Sequence, residues 1–352
     1  MYKSSILKSK IFRGLQILCV FLTLTAFLTP AIAQDKPTHE TENGTEKKFE
    51  PSEVILEHIA DSHYFHIGGE VSFPLPVILY TDKGLEVFSS EHFEHGKANY
   101  TGKYHTYSLV DNKINIVDGT GSLTDFSITK NVVSMWMSIL LLLIIFLSVA
   151  SAYKKRDGKA PKGLQSFMEP IILFVRDDIA RPNIGYKYQR FMPVLLTIFF
   201  FIWINNLIGL VPFFPGGSNL TGNIAVTLVL SVLTLFMVNL NGNKHYWAHV
   251  FVPADVPVWI WPLWWVIELV GIISKPFALM IRLFANITAG HIIVLSLISL
   301  IFVFKSMAIA PVSVAFVVFM DVLELLVAAL QAFIFTLLTA LFIGTAIEEA
   351  HH

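Results

Sequence analysis

Cysteine is almost absent: the single Cys19 in 352 residues excludes an intrachain disulfide and any cysteine-based metal site. Charge is scarce too. Asp, Glu, Lys and Arg make up 14% of the chain against 54% hydrophobic residues, about half the charged share of an ordinary soluble domain. The two signs nearly cancel, leaving a net charge of -1 at pH 7. With no basic surplus to meet phosphates, nucleic acid is excluded as a partner. No glycine-rich phosphate loop of the Walker type occurs, so no nucleotide site, catalytic site or cofactor is expected. What remains is apolar sequence in long runs, and runs of eighteen or more nearly uncharged residues are transmembrane helices in a lipid bilayer.

The N-terminus has the three parts of a secretory signal: Lys3, Lys8, Lys10 and Arg13, an apolar core from Leu15 to Leu28, and Ala31-Ile32-Ala33 as a cleavage motif. The alternative is an uncleaved anchor helix, for which the core is short. Residues 1-33 are thus expected to be a signal peptide, and 34-131 to be exported. Asp35 to Pro51 is charged and poor in hydrophobics, a linker composition. Beyond it, Thr81-Asp82-Lys83-Gly84 and Asp118-Gly119 are turn signals, while Val77 to Tyr80 and Lys113 to Val117 suit strands. A small β-rich domain is predicted. Seven of the twelve histidines lie in this region, among them His58, His63 and His66. Their spacing lacks a helix-face ligand pair with an acidic partner, so solvated surface histidines are favoured over a metal site.

Residues 132-352 make the membrane domain. The first span runs from Val132 to Tyr153, and Lys154, Lys155, Arg156, Lys159 and Lys162 follow it, which puts that end in the cytoplasm and the β region outside. Leu164 to Ile179 mixes apolar and charged residues like an amphipathic helix on the inner membrane surface, closed by Pro182. Phe191 to Phe213 and Ile224 to Leu240 cross next. Val258 to Val303 and Ala308 to Ile347 are twice the length a crossing needs, at about 1.5 Å per residue. No turn cluster interrupts either, and Ser274-Lys275-Pro276 suggests a kink rather than a reversal. Two long inclined helices are therefore predicted, joined outside near Phe304-Lys305-Ser306. The fold class is an all-α polytopic membrane protein with five crossings, one amphipathic helix and an exported β-rich domain, its C-terminus cytoplasmic at Glu348, Glu349 and the last histidines.

These two runs carry Glu268, Lys275, Arg282, His291, Asp321 and Glu324, with the amides Asn286 and Gln331. Ionisable groups inside a span are costly and mark function. Arg282 is a permanent cation, so it must face water or a carboxylate of its own chain or of a partner. Asn286 lies one turn on, on the same face. His291, nine residues from Arg282, falls on the opposite side of the helix. Asp321, Glu324 and Gln331 are spaced by three and seven, in one stripe able to line an aqueous path. By topology His291, Asp321 and Glu324 sit in the outer half and Glu268 on the inner side, where imidazole and carboxylates can relay protons. A buried structural network, with His291 on Glu324 and Arg282 on Glu268 or Asp321, is the other reading of the same spacing.

The run from Ser274 through Arg282-Leu283-Phe284-Ala285-Asn286 to Ala289-Gly290-His291 closely resembles the signature of subunit a of F-type ATP synthases. Leu330-Gln331-Ala332-Phe333-Ile334-Phe335 and Glu348-Glu349 match that family's final helix, and Asn206-Leu207 through Pro212 resembles an earlier segment more weakly. The resemblance spans Val132 to the C-terminus. It implies a proton-conducting stator subunit in a bacterial inner membrane, working with a c-subunit ring, the b subunits of the peripheral stalk and the rest of the ATP synthase complex. It also implies that Arg282 meets the deprotonated ring carboxylate and blocks leakage between two aqueous half-channels. Many bacterial members carry glutamate where His291 stands and histidine where Glu324 stands. The exchange keeps one imidazole and one carboxylate, which implies that the two face one another. Gly209, where some relatives have an acid, and the exported domain are further departures. A secondary transporter would want internal repeats, which are not seen, and a plain membrane anchor leaves Arg282, His291 and Glu324 unexplained.

Overall fold

A computed structural model describes residues 60-68, 71-110, 112-119, 121-156, 158-211, 218, 220-252, 257-304 and 310-348. The expected signal peptide and linker, His58, the Pro215-Gly216-Gly217 loop, Lys305-Ser306, Glu349 and the terminal histidines lie outside the described residues.

Alternation of apolar and polar residues builds the N-terminal domain from small antiparallel sheets. β1 (Tyr64–Gly68) pairs with β2 (Val71–Pro74). β3 (Pro76–Thr81) is flanked by β4 (Gly84–Ser89) and β8 (Leu123–Asp125). A third sheet orders β5 (Tyr100–Thr101), β6 (Thr106–Val110) and β7 (Lys113–Ile116). Both predicted strands are present, as β3 and β7. The predicted Thr81 to Gly84 turn closes β3 onto β4, with Thr81 opposite Gly84. Gly84 sits at φ +138°, open to glycine and disfavoured for other residues. Val77, Leu79, Phe93 and Tyr107 are wholly enclosed and form the core.

Two histidines expected at the surface are instead buried. His63 lies 3.2 Å from Asp125, and His105 bridges Asp82 at 3.2 Å and Asp118 at 3.3 Å. Strand pairing brings these carboxylates onto the rings from distant points in the chain, which spacing along the sequence does not reveal. Asp125 feels burial, which raises its pKa, but the bonds from His63 and Ser127 outweigh it and hold the carboxyl below its ordinary value.

The rest is helical. α1 (Lys130–Lys155) has an apolar outer face and a buried face that includes Asn131, Ser134 and Ser138. α2 (Leu164–Phe174) continues through a π-helical turn, Val175–Ala180, and a short helix, Arg181–Ile184. Met168, Val175 and Ile179 point into the core, while Asp177 pairs with Arg176 and Arg181, each at 2.7 Å. The stretch is amphipathic as expected, but Pro182 does not end it. A proline in the first turn of a helix forfeits no bond. The path breaks at Gly185, at φ +69°, before α3 (Tyr188–Leu210).

α4 (Ile224–Leu240) turns by 101° into α5 (Lys244–Phe251). α6 (Trp261–Phe304, 44 residues) and α7 (Ala310–Ile347, 38 residues) are each one helix, as predicted, and α6 runs through Pro276. At roughly 66 and 57 Å, both exceed the ~30 Å hydrocarbon thickness, so they must cross obliquely or project. Among the described residues four helices are long and apolar enough to span a membrane, or five counting the bent pair.

Close backbone contacts fix the C-terminal end of α7. A Cβ at Gly344 would overlap the carbonyl oxygen of Asn183, so α7 is seated directly on the turn before α3. Asn243, in the elbow between α4 and α5, donates its backbone N–H to Ala346 at 2.8 Å and its side-chain amide to Ile347 at 2.6 Å. Those carbonyls end α7 and have no partner within the helix.

Candidate functional site

α6 and α7 pack antiparallel, and their register places the singled-out side chains at three levels. Nearest the start of α6 and the end of α7, Lys275 Nζ lies 5.6 Å from the centre of the Phe342 ring; Glu268, two turns earlier on α6, is half-buried. At the middle level Gln331, 2% exposed, donates from Nε2 to the carbonyl oxygen of Arg282 at 3.2 Å. Outermost, His291 Nδ1 stands 3.8 Å from Glu324 Oε2. The imidazole and the carboxylate thus face one another, as their exchange in sequence implied.

The middle level is split by the helix. Gln331 binds the backbone of Arg282, while the Arg282 side chain is left exposed. Arg282 and Asn286 are both exposed on the outer side of α6, amid exposed apolar residues such as Phe277 and Ile281. Among the described residues Arg282 forms no ion pair, so the alternative of a guanidinium locked to Glu268 or Asp321 is not what the geometry has. A permanent cation on an apolar helix face is expensive in lipid unless something else meets it.

The His291-Glu324 pair is partly buried, with 19% and 13% of the side chains exposed. Gly290 makes the approach possible: a Cβ there would lie 2.5 Å from Glu324 Oε1. The 3.8 Å gap is longer than a hydrogen bond, and His291 Nδ1 and Glu324 Oε1 have no hydrogen-bond partner among the described residues. The expected acidic stripe holds only in part. Glu324, Ala328 and Gln331 follow at four and three residues and share the inward face, but Asp321 is turned about 60° from Glu324 and is exposed.

Further uncharged polar residues, of which the sequence reading quoted only Asn206, extend the site. Asn206 on α3 is buried; it donates to the Ala328 carbonyl at 3.4 Å, one turn from Glu324, and its oxygen accepts from Thr221 at 2.6 Å. Ser218 donates to the Asn131 side chain on α1 at 2.9 Å. The buried oxygens of Ser134, Asn205 and Thr288 have no partner among the described residues, and such groups in a polar cavity are where water binds. No group of three or more metal-ligating side chains occurs among the described residues.

Residues 132-344 match the family model described as ATP synthase A chain, and residues 54-134 match a model described only as a domain of unknown function. Among relatives, a protein named ATP synthase subunit a from Chloroherpeton thalassium is 49% identical over 233 residues, 65% of this chain and 69% of that one. One of the same name from Chlorobium phaeobacteroides is 48% identical over 238 residues, 65% and 68% of the two chains. Another, from an Anaeromyxobacter species, is 38% identical over 319 residues, 85% of this chain and 71% of its own. The family match takes in every helix that carries the polar residues described above, and the chain belongs to the ATP synthase A chain family, the subunit a proteins.

Proposed function

We propose that this chain is the proton-conducting stator subunit of an F-type ATP synthase in a bacterial inner membrane. Its N-terminal domain (34-131, after a signal peptide at 1-33) faces outward, its membrane domain is 132-352, and its C-terminus is cytoplasmic. The observation that carries the reading is the guanidinium of Arg282, exposed with Asn286 on an apolar helix face while His291 and Glu324 turn the other way. A partner bearing a membrane-embedded carboxylate fits that face, and a c-subunit ring supplies one at each step. Arg282 attracts the deprotonated carboxylate and repels a proton hopping directly between the two sides.

The outer half-channel follows the polar chain from Asn131 and Ser218 through Thr221 and Asn206 to Glu324 and His291. These last two are near enough to relay a proton through one water. Gln331 holds the backbone at the level where the path meets the ring, Asp321 lies at its margin, and Glu268 serves the inner half-channel. The b subunits and the rest of the complex hold the subunit against rotation; no cofactor and no catalytic residue is assigned to the chain.

The test is purification from membranes followed by pumping. The c ring should co-isolate, Arg282→Ala should abolish ATP-driven proton uptake by inverted vesicles, and His291→Ala or Glu324→Ala should each impair it. An assembled Arg282→Ala complex that pumps normally, or a chain isolated with no ring, overturns the reading.

A further inference from the structure

The β domain is attached to α1 by more than a tether. Phe126 donates its backbone N–H to Ile78 at 2.8 Å and Ile128 to Pro76 at 3.1 Å, so the strand leaving the domain stays stitched to β3 until the helix begins. At that point Asp61 accepts three bonds: from the Ser62 N–H at 2.9 Å, the Thr129 hydroxyl at 2.7 Å and the Asn131 N–H at 3.1 Å. The N–H of Lys130 donates to Ser62 at 2.8 Å. A carboxylate at this place also opposes the positive end of the α1 dipole. Lys130 is 7% exposed.

The residue whose N–H Asp61 grips, Asn131, is the same residue whose side chain accepts from Ser218. Ser134 and Ser138 continue that buried face down α1, and the hydroxyl of Ser134 has no partner among the described residues. We propose that the N-terminal β domain is a fixed collar at the outer entrance of the proton path, and that Asp61 is the positioning residue through which it holds Asn131 against Ser218. This rests on the outer half-channel proposed above. The collar keeps the entrance at one width, so that water reaches Ser134 through the Asn131-Ser218 contact rather than around it.

The test uses the assembled complex in membranes, with Cys19→Ser as background. A Ser134→Cys probe is labelled from the outer side with a small water-soluble thiol reagent, and pumping is measured per complex. In Asp61→Ala, labelling should quicken and pumping fall, each by about threefold to tenfold, the effect of losing charge-assisted bonds. Asp61→Asn, which keeps one acceptor oxygen, should recover at least half of the loss, and it is measured alone if Asp61→Ala does not assemble. A purely structural role would lower the amount of complex and leave both per-complex rates unchanged, which overturns the collar. If Arg282→Ala abolishes pumping while the Asp61 variants label and pump as the parent does, only the collar fails. If Arg282→Ala pumps normally, the half-channel reading itself has failed.

Discussion

Gly290→Ala tests the outermost level of the site with one methyl group. The added Cβ would lie 2.5 Å from Glu324 Oε1, 3.0 Å from Cδ and 3.2 Å from Cγ. Non-bonded atoms settle near 3.5 Å, so the carboxylate must retreat by about 1 Å. Gly290 adjoins His291, and a retreat from α6 widens the present 3.8 Å separation from the imidazole. Pushing the glutamate off its rotamer costs about 0.5-1.5 kcal/mol, and about 1.4 kcal/mol is tenfold in rate. ATP-driven proton uptake by inverted vesicles, normalised to assembled complex, should therefore fall roughly threefold to tenfold. Glu324→Asp alone withdraws the carboxylate by about one C–C bond, some 1.5 Å, widens the same gap without the added methyl, and should slow pumping as well. A Gly290→Ala complex pumping at the parental rate would refute the confinement of the carboxylate by this glycine.

Gly344→Ala should be far more damaging, because the obstacle is the backbone of Asn183 rather than a side chain. A loss of several kcal/mol should appear as near-absence of the subunit from membranes by immunoblot, and normal levels would contradict the seating of α7. Gln331→Leu keeps the volume but removes the side-chain bond that the Arg282 carbonyl accepts in addition to its helical one; it should cost about 0.5-1.5 kcal/mol and slow pumping while complex levels hold, whereas unchanged pumping would dismiss the contact. Asp125→Asn should weaken hydrogen-exchange protection of β3 and β8 at pH 7. The Asp125 pKa is lowered in the folded chain, so its contribution is fully present above the unfolded value of about 4 and lost as pH falls through the folded one. Parent and variant should converge as pH falls below the folded value, and a difference that persists there would contradict the assignment.

The long elements were the most legible. Two 40-residue apolar runs without a turn signal had to be single helices, and the exchanged histidine and glutamate announced their pairing. What stayed hidden was whatever depends on tertiary register. Asn131, Ser218, Thr221 and Asn206 are ordinary polar residues on separate elements, and only packing makes them a chain. The i, i+3, i+7 spacing of Asn131, Ser134 and Ser138 was a usable signal of a polar helix face. His63 and His105 were misjudged as surface residues because the carboxylates that satisfy them lie up to 62 residues away. Asp321 fell off the stripe because three residues is 60° short of a full turn.

The two bonds from Asn243 to the last carbonyls of α7 have a mechanical meaning. On the stator reading proposed above, a long helix beside a c ring would be dragged sideways at every step, and a free end would let it slip lengthwise by a fraction of a turn. Tied to a right-angled elbow at one side and seated on the Asn183 backbone at the other, the inner end of α7 is anchored like a beam set into masonry. On that reading the drag would pass into α3 and α4, and the distance between Gln331 and the Arg282 backbone would stay constant under load.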